Sequence, residues 1–304
     1  MNPSFDSARA AAHATAAWQD YPLGALYLVP TPIGNLADIS LRALHTLSLM
    51  DAVACEDTRH SQQLFRALGL DLAQTHWVAL HQHNEAEAAS KVLEALRLGQ
   101  RIAYLSDAGT PGISDPGSRL ARRAHQAGLR VVALPGASSV TTLLSASGAW
   151  QGDRADFVFH GFLPPKGQQR SERLTEMMYD PRVQCFFEAP HRMASLAQAW
   201  AALPSRGLTV GRELTKQFEE IANLDTHGLA AWLMEHEHRT RGEFALVLHE
   251  VSPDHADGRL AGERELRALL PLLPLKTAVQ TACELSGGSR KALYALALTL
   301  QKEF

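Results

Sequence analysis

The residues of this 304-residue chain most suited to binding chemistry form a loop at 106–117, directly behind the apolar run Ile102 to Leu105. The loop reads Ser-Asp-Ala-Gly-Thr-Pro-Gly-Ile-Ser-Asp-Pro-Gly, with three glycines and two prolines. Glycine lets a ligand approach the main chain where a Cβ atom would collide, and proline restricts the backbone. The composition therefore predicts a constrained loop that presents its backbone to a ligand, with a long surface turn as the alternative.

Two further apolar runs end in turns of similar composition. The first, Ala25–Pro30, leads into Thr31-Pro32-Ile33-Gly34, and Val131–Leu134 leads into Pro135-Gly136-Ala137-Ser138-Ser139. The chain contains neither GxGxxG nor GxxxxGK[ST], so a dinucleotide or P-loop nucleotide site loses its main support. We expect instead a ligand held largely by main-chain groups and small hydroxyls.

Four ionisable side chains near these turns are candidates for a general base: Asp107, Glu56, Asp57 and His81. Glu56 and Asp57 lie close to Arg59, and a cation beside two carboxylates can hold a phosphate or orient a hydroxyl. The alternative is a helix that begins here, with acidic residues at the favourable end of its dipole. His81 and His83 form an HxH pair without a suitably spaced third ligand, so we predict no metal site.

Strand-like and helical patterns alternate over the first part of the chain. The strand-like runs are Ala25–Pro30, Ala52–Cys55, Trp77–Leu80, Ile102–Leu105 and Val131–Leu134. Helical spacings of three and four residues lie between them, as at Leu41, Leu44 and Leu47. This alternation predicts an α/β domain with a mainly parallel sheet, whose ligand binds at the carboxyl ends of the strands.

A second set of strand-like runs predicts another α/β domain: Phe157–His160, Val183–Phe187, Leu208–Gly211, Phe218–Ile221 and Phe244–His249. Two helices of helix-turn-helix length follow at Lys276–Leu285 and Ser289–Leu300, with an inward face of Ala278, Ala282, Leu285, Leu293, Leu296 and Leu300. The predicted organisation is a flexible N-terminal extension over 1–22, α/β domains over 23–136 and 137–250, and a small helical domain over 259–304.

Charge and cysteine content bear on the binding partners and the cellular location of the protein. The net charge is −3, but residues 259–304 carry seven basic and four acidic side chains, so this segment is basic and the remainder is acidic. A basic helical segment is compatible with phosphate contact, although a solvated helix face has a similar composition. The three cysteines are far apart and form no CxxC, which suits the reducing cytoplasm. No apolar stretch reaches membrane-spanning length, so we expect no membrane association.

Several motifs, in the same order along the chain, resemble the tetrapyrrole methylase superfamily, and within it the branch that methylates small-subunit ribosomal RNA. They are Val-Pro-Thr-Pro-Ile-Gly-Asn-Leu from Val29, Cys-Glu-Asp-Thr-Arg-His from Cys55, Leu-His-Gln-His-Asn-Glu from Leu80, the 106–117 loop, Leu-Pro-Gly from Leu134, Gly-Phe-Leu-Pro from Gly161 and Gly-Arg-Glu-Leu-Thr-Lys from Gly211. The resemblance covers Leu26 to about Leu248, and the final helices resemble the C-terminal domain of that branch.

The resemblance implies two α/β domains with a cofactor cleft between them, and transfer of a methyl group from S-adenosylmethionine. The implied acceptor is the ribose 2′-hydroxyl of a cytidine in the decoding region, and the implied assembly is a homodimer. The cofactor contacts it implies, with Gly34 and Gly242 added from their turns, are Pro32, Gly34, Ala108, Gly109, Thr110, Pro111, Ser138, Ser139, Glu188 and Gly242. The candidate RNA contacts are Arg59, Lys166, Arg170, Arg212, Lys216, Lys276, Arg290 and Lys291.

One departure from the superfamily pattern concerns Thr110. The tetrapyrrole enzymes more often carry Gly-Gly-Asp-Pro in this loop, whereas this chain has Ala-Gly-Thr-Pro, so its polar contacts there are expected to differ. Two other functions stay open from the sequence: methylation of a small tetrapyrrole, and RNA binding by a protein that has lost catalysis.

Overall fold

The computed structural model describes residues 5–73, 75–81, 84–150, 156–251, 262–287 and 290–300. The chain divides into two compact units. Unit 1 comprises Met1–Leu143 and Glu213–Glu220, and unit 2 comprises Leu144–Arg212 and Ile221–Phe304. Each α/β unit contains one five-stranded sheet, which confirms the α/β fold class predicted from the alternating pattern.

The sheet of unit 1 is parallel and has the order β3-β2-β4-β1-β5. Its strands are β1 (Ala25–Leu28), β2 (Ala52–Cys55), β3 (His76–Ala79), β4 (Ile102–Leu105) and β5 (Arg130–Ala133). The helices of this part of the chain are α1 (Asp6–Ala16), α2 (Leu41–Ser48), α3 (Thr58–Leu68), α4 (Glu85–Arg97), α5 (Gly117–Gln126) and α6 (Ser139–Ser147). The loops after β2, β4, β1 and β5 therefore leave neighbouring strands at one edge of the sheet.

Both faces of this sheet are buried. Tyr27 and Val53 pack in one apolar cluster, while Leu26, Ala54 and Tyr104 pack in another on the opposite face. Burial on two faces explains why the strands read as continuous apolar runs and not as alternating patterns.

The N-terminal segment is not the flexible extension that the sequence suggested. Over its described part it forms α1, which packs on α2 through the buried Ala12 and Ala16. The ring of His13 lies 5.5 Å from that of His45, centroid to centroid. The alanines that lack a visible amphipathic pattern are small enough for close helix contact, which is why composition alone misjudged this segment.

The sheet of unit 2 has the order β6-β7-β10-β8-β9. Its strands are β6 (Phe157–Phe162), β7 (Val183–Glu188), β8 (Gly207–Arg212), β9 (Glu220–Asp225) and β10 (Phe244–Leu248), and its helices include α7 (Gln168–Tyr179), α8 (Met193–Trp200) and α9 (Leu229–Glu235). The β6 and β7 strands pair in parallel, whereas β10 is antiparallel to both β7 and β8. One face is covered by helices around the buried Phe186 and Trp200.

The strand predicted at Phe218–Ile221 is displaced. In the structure β9 begins at Glu220, and Phe218 is 70% exposed. The preceding residues 213–220 belong to unit 1 and contain two non-glycine residues with positive φ, Glu213 at 52° and Thr215 at 65°. A short apolar run was mistaken for a strand because its neighbours adopt this unusual backbone conformation.

Three helices form the C-terminal part of the described chain: α10 (Glu263–Leu269), α11 (Leu275–Ser286) and α12 (Arg290–Leu300). They enclose a separate apolar cluster that includes Ala278, Ala282 and Leu293. The two predicted helices begin and end within one residue of α11 and α12. Leu285, expected to face inward, is 69% exposed. No helix in the described ranges is long and apolar enough to span a membrane.

Candidate functional site

The loops after β1 and β4 are hydrogen-bonded to each other at the carboxyl edge of the first sheet. Thr31 N–H donates to the Gly109 carbonyl at 3.0 Å, and Gly109 N–H donates to the Thr31 carbonyl at 3.1 Å. The Ser106 hydroxyl donates to the same Gly109 carbonyl at 2.9 Å. Because these bonds fix the two turns relative to each other, the backbone of the turns is preorganised.

The loop after β5 joins the same cluster through Thr110. Its hydroxyl donates to the Ala137 carbonyl at 2.9 Å, so a side chain that the resemblance assigned to the cofactor also links two loops. The hydroxyls of Ser138 and Ser139 make no hydrogen bond with any described residue. Both are half-buried and available to an incoming polar group.

Gly109 lies where the three loops meet. Its φ is +80°, and a Cβ atom placed on it would lie 3.1 Å from Ile33 Cγ2 and 3.5 Å from the Ala137 carbonyl oxygen. Gly34, with φ of +153°, is in contact with the aliphatic part of Lys216, where a Cβ would collide. These are positions at which only glycine fits without displacement of a neighbour.

Carboxylates of the β2 and β4 loops accept hydrogen bonds from each other's backbone amides beside this cluster. The Glu56 carboxylate accepts a hydrogen bond from Asp107 N–H, and Asp107 Oδ1 accepts one from Asp57 N–H at 3.3 Å. Burial, followed by the charges of Asp107 and Asp115, raises the pKa of Glu56 above its ordinary value. Hydrogen bonds from Arg59 lower the pKa of Asp57.

Asp115 has a role that the sequence reasoning did not assign. Its two carboxylate oxygens accept hydrogen bonds from Gly112 N–H and Gly117 N–H, each at 2.7 Å. The second half of the 106–117 loop is thereby tied to the first turn of α5. The Asp-Pro-Gly sequence, in which an aspartate accepts from a backbone amide two residues on, was the available signal.

The structure brings most of the predicted cofactor and acid–base residues to this edge of unit 1. They are Pro32, Gly34, Glu56, Asp57, Asp107, Ala108, Gly109, Thr110, Pro111, Ser138 and Ser139. His81 follows β3, an edge strand, and its N–H donates to Asn84 Oδ1 at 2.9 Å. His83 lies outside the described residues. Among the described residues no group of three or more metal-ligating side chains is placed to hold an ion.

The remaining two predicted cofactor residues lie in unit 2. Glu188 ends β7 opposite Phe244, two residues after Gly242, so both lie at one end of the second sheet. Glu188 is 1% exposed, and its carboxylate forms ion pairs with Arg170 at 2.7 Å and Arg192 at 2.5 Å. The geometry gives Glu188 two internal cationic partners.

The candidate RNA contacts differ in accessibility. The exposed ones are Arg59, Lys166, Lys276, Arg290 and Lys291. Lys216 is half-buried, with its ammonium 2.8 Å from Glu213. Arg170 and Arg212 are buried, and Arg212 Nε donates to the Arg241 carbonyl at 2.9 Å. Arg170 and Arg212 thus have hydrogen-bond partners within unit 2, and their contact with RNA stays a prediction.

Replacing Arg170 with alanine is expected to lower the free energy of unfolding by about 1.5–3 kcal/mol, because it removes one of the two cationic partners of the buried Glu188 carboxylate. Chemical denaturation followed by circular dichroism measures this change. Lys166→Ala is the matched control, since this exposed cation four residues earlier should change the free energy of unfolding by less than about 0.5 kcal/mol. Equal stabilities of the two variants would contradict the structural role of the pair.

Comparison with known proteins identifies the family. The profile of Tetrapyrrole (Corrin/Porphyrin) Methylases matches residues 25–228, and that of the RsmI C-terminal HTH domain matches residues 256–301. A ribosomal RNA small subunit methyltransferase I from Escherichia coli O157:H7 is 43% identical over 284 residues, covering 93% of this chain and 97% of that protein. The chain belongs to the ribosomal RNA small subunit methyltransferase I family. The Pseudomonas aeruginosa protein of the same name is 41% identical and covers 91% of this chain and 98% of its own.

Solved structures confirm the fold at lower identity. A uroporphyrin III C-methyl transferase from Thermus thermophilus superposes with a TM-score of 0.52 at 18% identity, over 74% of this chain and 97% of that one. The methyltransferase CobJ gives a TM-score of 0.54 at 14% identity, over 74% and 94%. The resemblance recognised from the loop motifs is thus confirmed for both the superfamily and its ribosomal RNA branch.

Proposed function

We propose that this protein transfers the methyl group of S-adenosylmethionine to the ribose 2′-hydroxyl of a cytidine in the decoding region of small-subunit ribosomal RNA. The observation that carries the proposal is the set of three interlocked loops around Gly109, in a chain of the ribosomal RNA small subunit methyltransferase I family. The family supports the reaction class and the RNA substrate. The particular nucleotide and the ribose oxygen come from the resemblance of the motifs.

The first-sheet edge fits S-adenosylmethionine by its charge and its hydroxyl groups. The cofactor carries a sulfonium and an ammonium group, and the exposed carboxylate of Asp107 beside the half-buried Glu56 provides a negative potential for such cations. The lack of a Cβ at Gly109 lets the β1, β4 and β5 loops close against one another, and the half-buried hydroxyls of Ser138 and Ser139, which bond to no described residue, can bind polar groups of the cofactor. When bound, the cofactor supplies an electrophilic methyl group.

The protein's own contribution to the reaction is positioning and proton removal. Methyl transfer to an alcohol requires the oxygen to approach in line with the bond that breaks, and a rigid pocket supplies much of the rate by holding that geometry. The hydrogen bonds between the β1, β4 and β5 loops provide this rigidity. One of the carboxylates at the same edge accepts the hydroxyl proton.

The C-terminal helices are proposed to bind the phosphate backbone. Lys276 lies in the first turn of α11, and Arg290 and Lys291 begin α12. A cation at a helix N-terminus opposes the helix dipole, so these three residues do not serve to stabilise their own helices. Their exposure leaves them available for phosphate contacts, as are Arg59 and Lys166.

Two further parts of the proposal concern setting and assembly. Three free cysteines and a ribosomal substrate support a cytoplasmic location. The family resemblance supports a homodimer.

Mass spectrometry of small-subunit rRNA from a strain that lacks this protein tests the proposed function. We expect one ribose-methylated cytidine to be missing and to return on expression of the wild-type chain. An unchanged pattern of ribose methylation would remove the assignment.

A further inference from the structure

We propose that Glu56 is the general base of the methyl transfer, an inference that rests on the proposed function. In this step the acceptor hydroxyl oxygen forms a bond to the methyl carbon while the carbon–sulfur bond breaks. The bonding pair stays on sulfur, which becomes a neutral thioether, and the hydroxyl proton passes to a Glu56 carboxylate oxygen. No other reactant is needed.

The neighbouring carboxylates are already engaged in holding the loops. Asp57 Oδ1 accepts from the Arg59 backbone at 2.8 Å, and Asp57 Oδ2 accepts from the Arg59 guanidinium at 3.1 Å. Both carboxylate oxygens of Asp115 accept hydrogen bonds from backbone amides of the loop. Asp107 accepts a hydrogen bond from Asp57 N–H. Its side chain is exposed and therefore more solvated than the half-buried side chain of Glu56.

Glu56 is positioned by the loop that is predicted to hold the cofactor. It accepts a hydrogen bond from Asp107 N–H, two residues before Gly109, and it is half-buried. A carboxylate held by one backbone donor and partly removed from water is both oriented and a better proton acceptor than an exposed one. This combination is what a general base at this edge requires.

Tyr104 belongs to the surroundings of these carboxylates. The side chain is fully buried, and its hydroxyl interacts with the Asp115 carboxylate. Burial and the charges of Asp115, Glu56 and Asp107 raise its pKa, so the phenol stays neutral. The phenol is therefore a neutral part of the surroundings of Glu56 and does not compete with it as a base.

The charged and titratable groups around Glu56 give a definite pH dependence. Burial, followed by the charges of Asp107 and Asp115, raises the pKa of Glu56, while Tyr104 and the buried Cys55, whose pKa is raised to about 11, stay neutral beside it. A base must be deprotonated to act, so turnover should rise with pH through the raised pKa of Glu56. Removal of the Asp107 charge should shift this rise to lower pH.

The test compares Glu56→Gln with wild type in transfer of labelled methyl groups to small-subunit RNA, with affinity for S-adenosylhomocysteine measured by calorimetry. Transfer by wild type is established first, so failure of the proposed function is seen separately. We expect kcat to fall about 100-fold or more, the rise of kcat with pH to disappear, and the affinity to change by less than about threefold. Glu94→Gln, an exposed carboxylate on α4, is the matched control and should behave as wild type.

Asp107→Asn tests whether Asp107, the other carboxylate that could act as the base, takes the proton in place of Glu56. Asparagine can still accept the hydrogen bond from Asp57 N–H but carries no charge. Because Asp107 also provides negative potential for the cofactor's cations, this variant is assayed at saturating S-adenosylmethionine, where we expect the rise of kcat with pH to persist and to lie at lower pH than in wild type. A Glu56→Gln enzyme within about threefold of wild-type kcat and with the wild-type pH profile would overturn the proposal. If Glu56→Gln does not fold or bind, Glu56→Asp decides, and an unchanged pH profile in that variant would equally overturn it.

Discussion

Gly109→Val is expected to weaken binding of S-adenosylmethionine at least about 100-fold, which corresponds to about 2.7 kcal/mol. Gly109 lies at the junction of the β1, β4 and β5 loops, and even a Cβ there would be 3.1 Å from Ile33 and 3.5 Å from the Ala137 carbonyl oxygen. The branched side chain would therefore collide with these groups and displace the three turns that form the proposed cofactor site. Calorimetric titration with the cofactor measures the loss.

Gly128→Val is the matched control for backbone strain. Gly128 has φ of +69°, close to the +80° of Gly109, but a Cβ atom placed on it would have no other atom within 4 Å, and it lies in the turn between α5 and β5. Both variants incur a similar conformational cost of about 1–2 kcal/mol in folding. Only Gly109→Val should lose the cofactor. A folded Gly109→Val protein with wild-type affinity would show that the ligand binds elsewhere.

The second large effect is expected from a triple variant in the C-terminal helices, Lys276→Gln with Arg290→Gln and Lys291→Gln. If each cation contacts one phosphate, the slope of log affinity for small-subunit RNA against log salt concentration should decrease by about 2–3. Affinity should fall about 10- to 100-fold at physiological salt, while binding of S-adenosylmethionine is unchanged. Filter binding at several salt concentrations provides the measurement.

Glu284→Gln is the control in the same helical part. This exposed acidic residue lies on α11, and its neutralisation should leave RNA affinity equal or slightly higher. A triple variant with the wild-type salt slope would exclude these cations from the interface. Deletion of residues 259–304 adds a test of substrate class, because methylation of a small tetrapyrrole would survive that deletion and methylation of RNA should not.

The fold was largely predictable because its signals are local. Each strand of the first sheet is a buried apolar run, and the constrained turns after β1, β4 and β5 mark the edge where ligands bind in parallel sheets. The α1 helix was missed because an alanine-rich helix shows no strong polar and apolar pattern, and its docking on α2 depends on residues distant in sequence. The start of β9 was missed for a similar reason. Residues 213–220, which precede most of this strand, belong to unit 1, and this depends on contacts with residues distant in sequence.

The same distinction between local signals and contacts of distant residues applies to the candidate site. Residue types at strand ends predicted Gly109, Glu56 and Asp107, because their chemistry follows from position on the sheet. Pairing is a tertiary property, and so the sequence could not reveal that Arg170 is buried against Glu188. Nor could spacing show which carboxylate oxygens hold loops together and which are left for chemistry.

The most direct test of the proposed function is an in vitro reaction of the purified protein, labelled S-adenosylmethionine and small ribosomal subunits from a strain that lacks this protein. Nucleoside analysis by mass spectrometry then locates the transferred methyl group. The proposed function predicts label in a single 2′-O-methylated cytidine, lost in Gly109→Val and retained in Gly128→Val. Label on a nucleobase, or no label in RNA with tight cofactor binding, would contradict it.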